Sequence, residues 1–251
     1  MRLLVLWDID HTLVSTTLFD RRAYLAVAAE VLGTSDPVLP PSGAGRTEPH
    51  TMAETMRLNG AAPEDSLVRR ALERFEELVT GDPDGLRAQG RVLPGAREAM
   101  SAVAALPGIR TGVATGNLRS VARAKLTAFG LDRHVDWACG GYGDHARTKA
   151  EVVGLARHAA GLRDGRAFSP QETLLVGDAP ADAAVAAAGH ARVLAVATGR
   201  TDTGALTRAG ADAVLPDLCD TRAFVATVLS TVRSGAPGRT KGTAPPGEAP
   251  A

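Results

Sequence analysis

The sequence predicts an α/β protein built on a parallel sheet with helices on both faces, with a helical cap inserted after the first strand. Three observations carry that expectation. Short β-branched and aliphatic runs recur at Leu3 to Trp7, Thr111 to Ala114, Thr173 to Val176, Val193 to Val196 and Ala213 to Leu215. Segments with helical apolar spacing lie between them, and strands alternating with helices of this length build parallel sheets. The interval from about Val14 to Val92 breaks the rhythm, because it shows helical periodicity without a credible strand.

Composition agrees with one core domain carrying a smaller insertion: 251 residues, 45% hydrophobic and 22% charged, are ordinary values for a globular chain of this size. Lys plus Arg equal Asp plus Glu at 28 each, so no global field draws the protein to nucleic acid or to an anionic membrane, and any affinity for phosphate must be local. The apolar run at Leu3 is far too short to span a bilayer. Cys139 and Cys219 form neither a CxxC pair nor a metal-ligand spacing; both read as buried small hydrophobes in a reducing cytoplasm. From Ser234 onward Gly, Pro, Ala and Thr predominate, a composition that predicts a disordered tail over 234–251.

Along the chain, Leu3 to Trp7 forms the first strand. In the insertion, Leu18, Arg22, Leu25, Ala29 and Leu32 share a face that ends at Gly33, and Val68, Ala71, Leu72, Phe75, Leu78 and Val79 form a stronger stripe. Leu93-Pro94-Gly95 re-enters the core and starts a helix running to about Leu106. A helix over 119–129 stops at Gly130, a strand follows near Val135 to Cys139, and Lys149 opens a helix whose apolar face is Val152, Leu155, Ala156 and Ala159. The expected domains are a Rossmann-like core of 1–14 and 93–233 and a cap of 15–92.

In an open parallel sheet, ligands bind beyond the carboxyl ends of the strands. The first strand ends in Asp8-Ile9-Asp10-His11-Thr12, the second in Thr115-Gly116-Asn117, and the strand at 173–176 in Gly177-Asp178-Ala179-Pro180-Ala181-Asp182. Asp8 and Asp10 lie two apart, and Pro180 can begin a helix whose first turn carries Asp182 back toward Asp178. Four carboxylates, Asp8, Asp10, Asp178 and Asp182, then converge. Such a cluster repels itself unless a cation neutralises it, and an all-oxygen set favours a hard dication, Mg²⁺ before Ca²⁺. The opposite wall suits an anion: the Thr115 hydroxyl, the backbone N–H groups of Gly116 and Asn117 at a helix N-terminus, and the Lys149 ammonium. With no Ser or Cys paired to a base, the nucleophile for phosphoryl transfer is a carboxylate.

At these residues the sequence resembles the haloacid dehalogenase superfamily of phosphatases, and most closely its phosphoglycolate-phosphatase-like branch. The family motifs occur in order as Asp8/Asp10/Thr12, Thr115, Lys149 and Asp178/Asp182. The resemblance implies that Asp8 attacks phosphorus and that Asp10 protonates the leaving oxygen, then activates water against the aspartyl-phosphate. It also implies that Asp8, the backbone carbonyl of Asp10 and Asp178 hold Mg²⁺, with Asp182 as a ligand or a supporting partner, and that Thr115 and Lys149 bind the transferring phosphoryl group. The implied partner is a small phosphorylated metabolite, met by a cytoplasmic monomer or homodimer that binds neither nucleic acid nor membrane.

His11 stands where the family often has Gly, and Arg147 competes with Lys149 as the phosphate-binding cation. Arg46, in Ser42-Gly43-Ala44-Gly45-Arg46-Thr47, is a candidate to swing over the substrate's leaving group. Phosphoglucomutase-type transfer and phosphonate hydrolysis on the same fold stay open, as does, more remotely, a non-catalytic binding module. Asp10 argues against a dehalogenase, because dehalogenases of the superfamily lack that second aspartate.

Overall fold

Leu3, Val5 and Trp7 turn to one side of the first strand and Leu4 and Leu6 to the other, and all five are buried. A strand apolar on both faces has to lie inside a sheet that is covered on both sides. A computed structural model, which describes residues 2–41 and 45–233, has that arrangement. In chain order its elements are β1 (Leu3–Trp7), β2 (Val14–Ser15), α1 (Thr17–Leu32), α2 (Glu48–Leu58), α3 (Asp65–Gly81), α4 (Pro83–Gln89), β3 (Arg91–Val92) and α5 (Ala96–Ala104). There follow β4 (Ile109–Val113), α6 (Arg119–Ala128), α7 (Lys149–Asp164), β5 (Thr173–Gly177), α8 (Pro180–Ala187), β6 (Arg192–Val196), α9 (Thr203–Arg208), β7 (Ala213–Leu215) and α10 (Thr221–Arg233).

Five strands form one sheet in the order β4-β1-β5-β6-β7, all parallel. One face packs against α5, α6 and α10 through Ala96, Met100, Val103, Leu126, Phe224 and Val228. The other packs against α7, α8 and α9 through Val152, Val153, Ala156, Val185 and Leu206. Helices α1 to α4 have their own apolar cluster, which includes Phe19, Val27, Met52, Met56, Phe75 and Val79, and it continues into Leu118 and Val121 beside and on α6. Helix α6 therefore serves two cores, Leu126 facing the sheet and Val121 the inserted helices.

Several expectations need correction. No strand forms at Val135 to Cys139; two single-turn 3₁₀ segments, Asp132–His134 and Trp137–Cys139, occupy the stretch. Asp136 explains this, since its carboxylate accepts from the Ala138 N–H and closes a turn where a ladder would continue. The interval 14–92 is not wholly free of strand, because the chain entering and leaving it pairs antiparallel at Val14–Val92 and Ser15–Arg91. On α1 the buried face is Phe19, Ala23 and Val27, whereas Leu18 is 69% exposed. Cys219 is exposed and only Cys139 is buried. The 234–251 tail and Ser42 to Ala44 lie outside the described residues. Among the described residues, no helix is long and apolar enough to cross a membrane.

Candidate active site

Strand register assembles the site. Trp7, the last residue of β1, lies level with Val113 of β4 and Val176 of β5, so the residues just beyond these three strands emerge side by side. Those residues are Asp8, Ala114-Thr115 and, after Gly177 ends β5, Asp178. The ladder continues into the site, as the Asp8 N–H donates to the Val176 carbonyl (2.9 Å) and the Ala114 N–H to the Trp7 carbonyl (2.9 Å).

Carboxylate oxygens of Asp8, Asp178 and Asp182 lie within 4.8 Å of one another. Asp182 sits in the first turn of α8, where its Oδ2 accepts from the Ala179 N–H (3.0 Å), and this places Oδ1 in the cluster, facing Lys149. Thr12 Oγ1 donates to Asp178 Oδ1 (3.2 Å) and orients it. The one cation among them is Lys149, whose Nζ lies 2.6 Å from Asp8 Oδ1 and 2.9 Å from Asp182 Oδ1. Burial, only partly offset by Lys149, pushes the Asp8 carboxyl up to about 7. Burial and the charges of Asp8 and Asp182 push Asp178 up to about 8. Three buried carboxylates facing one ammonium lack positive charge, and an all-oxygen donor set of this span fits a hard divalent ion. Gly199 leaves room for the cluster, because a Cβ on it would lie 1.8 Å from Asp178 Oδ2 and that carboxylate would have to turn away.

Asp10 lies two residues on, outside that trio, and its environment is different. Lys125 Nζ donates to Asp10 Oδ1 (2.8 Å) and to Asp20 Oδ2 (2.9 Å), and Asn117 Nδ2 donates to Asp10 Oδ2 (2.6 Å). Burial by itself would raise Asp10, but Lys125 more than offsets it and holds the carboxyl below its usual value. The same two aspartates overcome the effect of burial on Lys125 and raise its ammonium. Sequence reasoning missed Lys125, Asp20 and Glu48. Lys125 sits on an amphipathic helix at a position that reads as an ordinary surface lysine, and only the lysine's spacing from Leu118, Val121 and Ala122, all buried, marks its side as inward.

Thr115 is buried, and its oxygen accepts from Asn117 Nδ2 (2.7 Å) and the Asn117 N–H (3.2 Å), which leaves the hydroxyl hydrogen free to donate elsewhere. Gly116 and Asn117 precede α6 instead of opening it. The amides that do open it are taken: Leu118 N–H donates to Glu48 Oε2 (2.7 Å) and Arg119 N–H to Asp144 Oδ2 (2.8 Å). The Asn117 N–H is likewise committed to Thr115, so its contribution is through the side chain. Gly116 allows a close approach, since a Cβ there would lie 2.1 Å from the Arg46 carbonyl. Lys149, not Arg147, is the cation that reaches Asp8; the Arg147 backbone instead caps onto Glu151 (2.8 Å).

A cavity of about 590 Å³ opens between the sheet rim and the inserted helices, lined among others by Asp8, Asp10, Thr115, Lys149 and Asp178 from the core and Asp20, Tyr24, Arg46 and Glu48 from the insertion. Arg46 lines it while ion-paired to Glu54 (2.5 Å). His11 also lines it and adopts φ 62°, the left-handed conformation that glycine takes without penalty.

No curated protein matches this chain in sequence. Solved structures do match in fold. A provisional β-phosphoglucomutase from Bacteroides vulgatus is 17% identical with a TM-score of 0.65, over 92% of this chain and 90% of its own. CbbY from Rhodobacter sphaeroides, solved in complex with phosphate, is 21% identical with a TM-score of 0.61, over 88% and 96%. A predicted phosphoglycolate phosphatase from Haemophilus somnus is 16% identical with a TM-score of 0.62, over 90% and 98%. The family model of the haloacid dehalogenase-like hydrolases matches residues 3–190, and the chain belongs to that family.

Proposed function

We propose that the protein is a Mg²⁺-dependent phosphatase that hydrolyses a small phosphomonoester through an aspartyl-phosphate on Asp8. One observation carries the reading: Asp8 stands at the cavity floor between a buried ammonium, 2.6 Å away, and two further carboxylates, with a second, separately held aspartate two residues on. Asp8, Asp178, Asp182 and the backbone carbonyl of Asp10 would hold the ion. Bound there, Mg²⁺ supplies the positive charge that the trio lacks and offsets the charge of the phosphoryl oxygens.

Asp8 attacks phosphorus in line, and Asp10, which takes up a proton from solvent as the phosphate dianion binds beside it, passes that proton to the departing ester oxygen. The Asp10 carboxylate then takes a proton from water as that water attacks the aspartyl-phosphate, which releases inorganic phosphate and restores Asp8. Thr115 donates its hydroxyl to the transferring group, Lys149 neutralises it, and the Gly116–Asn117 turn shapes its seat. The helical unit of α1 to α4 acts as a cap whose Arg46 reaches the remainder of the substrate and whose closure excludes water. Phosphate release from p-nitrophenyl phosphate tests this directly. It should require Mg²⁺ and disappear on chelation; Mg²⁺-independent release would overturn the reading. The fold of the Bacteroides vulgatus protein keeps a mutase in view. Product analysis with a hexose 1-phosphate separates the two, since a mutase returns an isomeric sugar phosphate and a phosphatase returns free sugar.

A further inference from the structure

Both steps assigned to Asp10 need its carboxylate held in one orientation toward the cavity, and both of its oxygens are tied. Oδ1 accepts from Lys125 Nζ (2.8 Å) and faces Thr16 Oγ1 (3.3 Å), while Oδ2 accepts from Asn117 Nδ2 (2.6 Å). Even so, the side chain stays 33% exposed, so it is clamped without being covered.

Lys125 is almost wholly withdrawn from solvent, its side chain 2% exposed where it borders the cavity, and a buried ammonium is costly unless it is paired. Its second partner is Asp20, in the first turn of α1, at 2.9 Å. Thr16 closes the arrangement, its hydroxyl lying 2.8 Å from Asp20 Oδ2. The four groups form a ring contributed by the loop after β1, the link into the inserted helices, α1 itself and the core helix α6. Nearby, Glu48 of α2 accepts from the Leu118 N–H and donates its own N–H to the Gly116 carbonyl (2.8 Å), which ties the same helix start to the cap. If Lys125 were needed only for packing, one carboxylate on the apolar side would satisfy it. Instead it is shared with a group that opens onto the reaction cavity.

We propose that Lys125 is a positioning residue: anchored by Asp20 of the inserted helices, it holds the Asp10 carboxylate aimed into the cavity for proton transfer to and from the oxygens bonded to phosphorus. The inference rests on the phosphatase reading, and the test separates the two. It compares kcat/KM for p-nitrophenyl phosphate, whose leaving group departs without a proton, with kcat/KM for β-glycerol phosphate, whose alkoxide needs one. In Lys125→Met, misaimed Asp10 should cost the alkyl ester at least about tenfold more than the aryl ester, within the span that general acid catalysis supplies. Lys125→Met/Asp20→Asn removes a buried carboxylate with the cation, so it avoids two unpaired charges, and it should show the same discrimination. An equal fall on both esters, as general loosening of the fold would give, or no fall on either, would overturn the inference. A wild-type protein inert toward both esters would instead remove the phosphatase reading beneath it.

Discussion

Asp8 and Asp10 are separated by a single residue, yet their surroundings balance charge in opposite ways. Around Asp8, three buried carboxylates share one ammonium, and the carboxyls of Asp8 and Asp178 are displaced upward to about 7 and about 8. Around Asp10, Lys125 answers the charge directly and the carboxyl is displaced downward. The contrast lies in which carboxyl each ammonium favours: Lys149 leaves Asp8 displaced upward, whereas Lys125 holds Asp10 down and leaves its second partner, Asp20, displaced upward by burial. A surplus of negative charge around carboxylates that open to the cavity suits an external dication, whereas a buried ammonium hydrogen-bonded to Asp10 fixes that carboxylate's geometry.

The largest expected effect tests the Asp8 half. Asp8→Asn should lower phosphate release from p-nitrophenyl phosphate by at least about 10³-fold, as loss of a nucleophile does, with the circular dichroism spectrum unchanged. Retained turnover would remove the nucleophile assignment. Next come two substitutions that should move metal-free stability in opposite directions. Lys125→Met leaves Asp10 and Asp20 unanswered and should destabilise the chain by about 3 kcal/mol in urea denaturation. Asp178→Asn relieves repulsion in the surplus cluster, so the metal-free protein should melt higher while the Mg²⁺-induced shift disappears. Destabilisation by both variants would abolish the contrast.

A third test uses Mg²⁺ on the wild type. At about 100 times its dissociation constant the ion should add about 2.7 kcal/mol of stability. The sign with pH follows from the upward displacement of Asp8 and Asp178, which bind protons more tightly when folded than when unfolded. Their contribution to metal-free stability is present below about pH 4, their ordinary range, and is lost as pH rises through about 7 and 8. Deprotonation is also what readies them for a dication, so the Mg²⁺-induced rise in melting temperature should be larger at pH 8 than at pH 5. An equal rise at both would disconnect those carboxyls from the metal. The smallest effect concerns His11. His11→Gly should raise stability by about 0.5 kcal/mol, because relief of the left-handed backbone slightly exceeds the entropy that glycine adds to the unfolded chain. A loss of more than about 1 kcal/mol would instead assign the imidazole a structural role.

Much of the fold is legible in the chain because its signals are local. Five apolar runs, each bounded by small or acidic residues, correspond to the five sheet strands, with ends displaced by no more than two residues. The segment at Val135 to Cys139 reads as a strand because its apolar residues satisfy the same pattern. Asp136 diverts it, and a side chain closing a turn is invisible to periodicity. The face of α1 is misread for a related reason. Leu18 and Leu25 offer an apolar stripe, but the neighbours that decide which stripe is covered, Met52, Phe75 and Val79, come from other helices.

By itself, the sequence determined which groups stand at the ends of the strands: Asp8, Asp10, Thr115 and Asp178 follow their apolar runs directly, and the handedness and parallel pairing of such runs bring the ends together. Tertiary structure alone decided how those groups are charged and aimed. The partners of Asp10 lie 115 residues away on α6 and 107 residues away at Asn117, and the anchor of Lys125 lies 105 residues from it on α1. Electrostatic interaction depends on distance and burial in three dimensions, and no spacing along a chain encodes either.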